Sequence, residues 1–133
     1  MRKIHDKDGL ELATVLSIAD YMQKTDKRFF SDPEDPIQVG SLFFPEGSAV
    51  APHLHKVLDA PGSPMEVLLV LCGCPLANIF DANGSLVESF TLKLGDILIQ
   101  KHGGHGFCFS SGTALLEIKR GPYHGKGSDK EPI

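Results

Sequence analysis

The residues best placed to do chemistry are histidines, of which the chain carries six: His5, His53, His55, His102, His105 and His124. His53-Leu54-His55 lies near the end of an expected strand. A spacing of two on a strand points both imidazoles to one face, so both can reach a single ion. Glu66 opens the next apolar run, Val67-Leu68-Leu69-Val70-Leu71-Cys72. An acid there either sits at a solvated strand edge or is held for a positive partner. A third element, His102-Gly103-Gly104-His105, reads as a glycine-rich turn between later strands. Its glycines let the backbone pass close to whatever those imidazoles bind. Three imidazoles and one carboxylate make a mixed N/O set suited to one divalent transition metal: Fe, Mn, Ni, Co or Zn. Such a set leaves positions on a six-coordinate ion for water or substrate, which serves Lewis-acid or oxygen chemistry rather than a closed structural role. Ligation needs neutral imidazoles, so metal is expected to leave as the pH falls below the histidine range near ~6.5.

Other reactive side chains have simpler expectations. His102 is an alternative ligand or a hydrogen-bond donor behind one. His5 and His124 lie in segments expected at the surface. Glu117 either points inward near the metal or forms a half-exposed ion pair with Lys119 or Arg120. Phe107 and Phe109 alternate on one strand and are expected to line the interior. Cys72, Cys74 and Cys108 make an odd count, and the spacing lacks the paired C-x₂-C pattern of a thiolate metal site. They read as cysteines packed in a reduced compartment.

Elements must then hold these groups. The chain has 133 residues, enough for a single core and too few for two. Hydrophobic residues at 41% and charged residues at 23% match an ordinary globular domain rather than a disordered chain. The formal net charge of −4 is spread along the chain, and no basic run marks a nucleic-acid or anionic-membrane surface. The longest apolar run is far below a membrane span. No apolar stretch follows the charged start, so a soluble, cytoplasmic protein is expected.

Residues 9–25 carry a helical stripe of Leu12, Val15, Ala19 and Met22, with Asp8 as a cap and Glu11 three residues on. This predicts a short N-terminal helix that packs as a cover on the rest of the domain. The prolines of Ser31-Asp32-Pro33-Glu34-Asp35-Pro36 end it. From Ile37 onward, short apolar runs are split by Gly, Pro and Asn. Ile37–Phe44 and Ser48–His55 read as a hairpin, and Asp81-Ala82-Asn83-Gly84 as a tight turn between two more strands. About eight such strands with little helix predict an antiparallel sandwich or barrel. The segment from Gly121 to Ile133 is expected on the surface. One domain is expected overall, with residues 1–30 as an N-terminal helical extension and 31–133 as the barrel.

The histidine-bearing stretch resembles the first motif of the cupin superfamily, G-x₅-H-x-H-x₃₋₄-E-x₆-G. Gly47, His53 and His55 match its front, and Glu66 and Gly73 its back. Between them, residues 56–65 insert a longer loop that reads as lying over the site. The second motif, G-x₅-P-x-G-x₂-H-x₃-N, is matched at Gly95 and at His105, which arrives one residue early, while its proline and asparagine are absent. Asp35-Pro36-Ile37-Gln38, Pro52–His55, Phe80–Gly84, Leu116–Tyr123 and Asp129-Lys130-Glu131 together resemble the small WbuC-type cupins encoded beside lipopolysaccharide O-antigen genes. The resemblance implies an all-β, single-domain jelly-roll barrel (a double-stranded β-helix) with His53, His55, Glu66 and His105 as metal ligands.

The leading expectation is therefore a cupin metalloprotein that binds or acts on a small molecule, with a sugar derivative implied only by the resemblance. A metal-dependent isomerase, epimerase or dioxygenase fits that expectation. A second possibility is a non-catalytic ligand-binding or regulatory module. A third is a metal-free sugar-nucleotide epimerase, for which Tyr21 and Tyr123 are the only phenols on offer. A homodimer formed through the apolar segment Phe29–Phe44 is also expected.

Overall fold

The structure is a computed structural model that describes residues 1–23, 27–56, 66–122 and 130–133. The expected loop at 57–65, Tyr123 and His124 lie outside the described residues. Two five-stranded antiparallel sheets face each other. The first runs β3 (Lys27–Phe29), β4 (Ile37–Phe44), β11 (Thr113–Arg120), β6 (Glu66–Cys72), β9 (Ile97–Gln100). The second runs β12 (Lys130–Pro132), β5 (Ala49–His55), β10 (Gly104–Cys108), β7 (Leu76–Phe80), β8 (Leu86–Thr91). This is the all-β, double-stranded β-helix architecture that the sequence predicts.

Period-two patterning drives the pairing. On β6, Glu66, Leu68 and Val70 are buried while Val67, Leu69 and Leu71 are only partly so. The core gathers Leu42, Leu68, Val70 and Leu115 from one sheet and Ala77 and Phe107 from the other, with Leu92 and Phe109 beside them. Phe107 and Phe109 thus line the interior as expected, 3% and 1% exposed.

Three expectations are corrected. Among the described residues, the helix expected over 9–25 is reduced to one turn, α1 (Ile18–Tyr21). The preceding residues form an exposed hairpin of β1 (Arg2–His5) and β2 (Glu11–Val15). Asp8 does not cap a helix: the Asp6 carboxylate accepts the amides of Asp8 and Leu10, each at 2.9 Å, and folds the chain into a turn. Lys3 and Glu11 pair across the hairpin at 2.6 Å. The true helix start is Ser17, whose amide and hydroxyl both donate to Asp20 at 2.8 Å. The apolar stripe at helical spacing failed as a signal because its Leu12, Val15 and Met22 are exposed and bury nothing.

The second correction concerns Ile37–Phe44 and Ser48–His55, which are not a hairpin. β4 pairs with β3 and β11, whereas β5 pairs with β10 and β12. The Pro45–Ser48 turn instead hands the chain from one sheet to the other, so both strands bury a face across the sandwich. Third, the described end of the tail is at the surface as expected but is a strand, which the sequence did not predict: β12 adds to the edge of β5, placing Lys130 opposite His55 and Pro132 opposite His53. Among the described residues, no helix is long and apolar enough to cross a membrane.

Candidate metal centre

The site is assembled across the gap between the sheets. On β5, His53 and His55 share the inward face, as their spacing predicts. β10 pairs with β5 so that His105 stands directly opposite His53, which puts the third imidazole on the same face. Glycine makes that pairing possible. A Cβ on Gly104 would fall on the His53 carbonyl oxygen, and Gly103, at φ +70°, passes equally close to the Phe80 carbonyl. The His55 amide also donates to the Gly103 carbonyl at 3.1 Å, fixing the turn to the strand.

Two acids come from the opposite sheet. Glu66 is the first residue of β6, and Glu117 lies on the adjacent β11, opposite Leu68. Both face inward and are almost fully buried, at 3% and 1% exposure. Glu117 is thus interior, with Lys119 two residues along on the same face and its Nζ 3.7 Å from the carboxylate.

Within the cluster the possible ligand atoms lie close together. The ligating nitrogens of His53, His55 and His105 lie within 4.8 Å of one another. Glu66 Oε2 stands 3.5 Å from His55 Nε2 and 3.3 Å from His105 Nε2. His53 Nδ1 donates to the Ala51 carbonyl at 2.9 Å, which fixes the tautomer and leaves Nε2 as a bare lone pair. His53 Nε2, His55 Nε2, His105 Nδ1, Glu66 Oε2 and Glu117 Oε2 are all buried without a hydrogen-bond partner among the described residues. An orphaned buried polar atom costs about 1–3 kcal/mol, so a whole cluster of them in one pocket needs an explanation. A divalent cation supplies one, because it accepts several lone pairs at once. The residues present therefore fit a metal.

The electrostatics of the imidazoles prepare the same outcome. Burial pushes all three imidazoles below the ordinary histidine value, His55 to about 4, with the Lys130 charge adding to the effect. Neutral imidazole is the ligating form. Burial raises the Glu66 carboxyl, and its hydrogen bond and repulsion with Glu117 raise it further. Burial also works to raise Glu117, but the hydrogen bond from Glu66 and the charges of Lys119, Lys27 and Lys130 outweigh it. One proton is therefore held between the two carboxyls, on the Glu66 side.

Other expected site residues fall elsewhere. His102 is exposed on the turn, and its carbonyl accepts the Gln100 side-chain amide at 2.5 Å; its ring is not in the cluster. His5 is exposed on β1. The cysteines correct the packing expectation, since Cys74 and Cys108 are exposed and Cys72 is half-buried. They fall at strand ends and turns, where the apolar core stops. Sequence reasoning missed Lys27 and Lys130. They line a cavity of about 150 Å³ beside the histidines, together with Glu66, His105 and Glu117. Lys27 sits on a three-residue edge strand and Lys130 in a polar tail, neither of which has a readable pattern.

No protein-family model matches the chain, and no curated protein is significantly similar to it in sequence. Solved structures share its fold. A conserved protein with a double-stranded β-helix domain from Klebsiella pneumoniae superposes with a TM-score of 0.60 at 20% identity, covering 85% of this chain and 94% of that one. A cupin-2 domain protein from Shewanella frigidimarina gives 0.59 at 16% identity, covering 80% and 95%. Salicylate 1,2-dioxygenase from Pseudoaminobacter salicylatoxidans gives 0.57 at 14% identity, with 72% of this chain on 26% of that larger one.

Proposed function

We propose a metalloprotein in which His53, His55, His105 and Glu66 hold one divalent transition metal, and which binds or transforms a small molecule beside it. The frame is the cupin fold, shared with structural neighbours from the cupin superfamily. The observation that carries this reading is the set of buried, unpartnered lone pairs converging from both sheets. When bound, the metal supplies Lewis-acid polarisation or, if redox-active, oxygen chemistry. The chain's own residues do the rest. The Ala51 carbonyl fixes the His53 tautomer, and Glu117 stands beside Glu66 on the adjacent strand. Ligation needs Glu66 ionised, so the proton it holds in the metal-free pair must leave as a metal enters. Resemblance to the WbuC-type cupins supports a sugar derivative as ligand. A metal-free epimerase gains nothing from Tyr21, which sits on α1 outside both sheets.

Elemental analysis of protein purified without added metal tests the reading. One equivalent of a transition metal per chain is expected in the wild type, and loss of more than about nine-tenths in His53→Ala and in His55→Ala. Metal-free wild type that takes up no Mn(II), Fe(II), Co(II), Ni(II) or Zn(II) on titration overturns it.

A further inference from the structure

The metal centre makes no use of the cysteines, and two of them share one place in the fold. Cys72 ends β6, and Cys74 stands two residues on, just before β7, where the chain passes from one sheet to the other. Both thiols lie against the same bend between β10 and β11. The Cys72 thiol donates to the Gly112 carbonyl at 3.9 Å, and Cys74 Sγ stands 3.7 Å from Ser111 Oγ. Adjacent residues of one bend therefore hold the two sulfurs, which puts both on one side of Cys72-Gly73-Cys74. Gly73 permits this. It adopts φ +84°, and a Cβ on it would fall on the Thr113 hydroxyl, so the linking residue turns the chain and brings no side chain between the thiols.

We infer that Cys72 and Cys74 form a redox-active dithiol that closes reversibly to a disulfide. The reach is right: Cα atoms two residues apart are separated by at most about 7 Å, and a disulfide spans roughly 4.4–6.8 Å. Access divides the roles. Cys74 is exposed and is the thiol that a soluble oxidant meets, whereas Cys72 is half-buried beside it. With a small-molecule disulfide as oxidant, the Cys74 thiolate attacks one of its sulfurs and releases the first thiol. The Cys72 thiolate then attacks Cys74 Sγ of the mixed disulfide and releases the second. The protein gives up two electrons and two protons, and the oxidant carries them away as two thiols. A dithiol reductant runs the exchange backwards. A bond across so short a loop removes little chain entropy, so it serves as a reversible modification and not as a stabilising cross-link. Cys108 is the rival partner for Cys74, since it ends β10 opposite Leu76 at the start of β7. The shared bend and the one-residue tether favour Cys72.

Oxidised glutathione tests this on the whole chain, reduced beforehand and freed of reductant, with alkylation and peptide mapping by mass spectrometry as the readout. Wild type should yield Cys72 joined to Cys74, with Cys108 outside the bond. Cys72→Ser should stop after the first exchange, holding a glutathione adduct on Cys74 that wild type discharges at least about 10-fold faster. Cys108→Ser should form the bond as wild type does. Wild type that accumulates a lasting adduct on Cys74, joins Cys74 to Cys108, or keeps Cys72 and Cys74 both alkylatable overturns the inference. Those wild-type outcomes need no variant, so they decide the matter even where a serine replacement unfolds the chain.

Discussion

At the scale of single residues, the question is where protons and lone pairs reside. The three imidazoles are held below their ordinary value by burial, so they stay neutral where a solvated histidine would be protonated. Proton competition at the imidazoles should therefore begin below the ~6.5 that free imidazole implies, so metal should be retained to a lower pH than a solvated three-histidine site would hold it. Metal content after dialysis across the range below ~6.5 checks it. Metal-free protein should show the same chemistry as stability. Each histidine contributes stability that is present above the unfolded value near ~6.5 and lost as the pH falls toward its depressed folded value. The raised Glu66 works in the opposite direction, stabilising below its unfolded value and losing that contribution as the pH rises through the folded one. Three histidines outweigh one carboxyl between pH 7 and pH 5, so the melting temperature of the metal-free chain should fall across that interval by at least about 5 °C. A rise would contradict the buried, neutral state assigned to the imidazoles.

Elements position those residues, and the tightest constraint is the contact of β5 with β10. Gly104 sits against the His53 carbonyl with no room for a side chain. Gly104→Ala should force the strands apart, cost about 2–4 kcal/mol in stability and weaken metal binding at least tenfold. Ser89→Ala on β8, whose hydroxyl donates to Asn78, should leave metal binding unchanged. Denaturant melts and metal titration of the two variants make the comparison. Much at this scale was readable in the sequence. Spacing of two aligned His53 with His55, and the burial of Glu66 follows from an acid opening an unbroken apolar run. The Gly103-Gly104 pair beside His105 announced a close backbone approach. What was not readable is which strand meets which. Ile37–Phe44 and Ala49–His55 look like a hairpin because their connection is short, yet only the burial of both inner faces decides that they part into different sheets. The N-terminal stripe misled for a related reason. Leu12 and Val15 fit a helix period, but Asp6 makes a turn in front of them and both stay exposed. Lys27 and Lys130 reach the cavity by long-range strand addition, which leaves no local trace.

Viewed as a whole molecule, one face stands out. The outward side of the β3–β4–β11–β6–β9 sheet carries a continuous row across four strands, Val39–Ile118–Val67–Ile99, with Leu116–Leu69–Ile97 alongside it. Ile97 and Ile99 are 59% and 51% exposed. Contiguous apolar patches of this kind are uncommon on monomers, and such a patch can meet its own copy about a twofold axis. A homodimer is therefore expected to use this face, which the Phe29–Phe44 segment enters at Val39. Light scattering at micromolar concentration should give twice the 14.4 kDa chain mass, and Ile99→Lys with Ile118→Lys should return it to one. A wild-type chain that stays monomeric contradicts the expectation.

The central claim is that three imidazoles from one sheet and a carboxylate from the other share one ion. Anomalous diffraction at the absorption edge of the metal found in purified protein tests it most directly. One strong peak is predicted at about 2.0–2.4 Å from nitrogens of His53, His55 and His105 and from a Glu66 oxygen. A crystal of metal-supplemented protein with no peak among these four side chains, or with its peak at His102 or His5 instead, would contradict it.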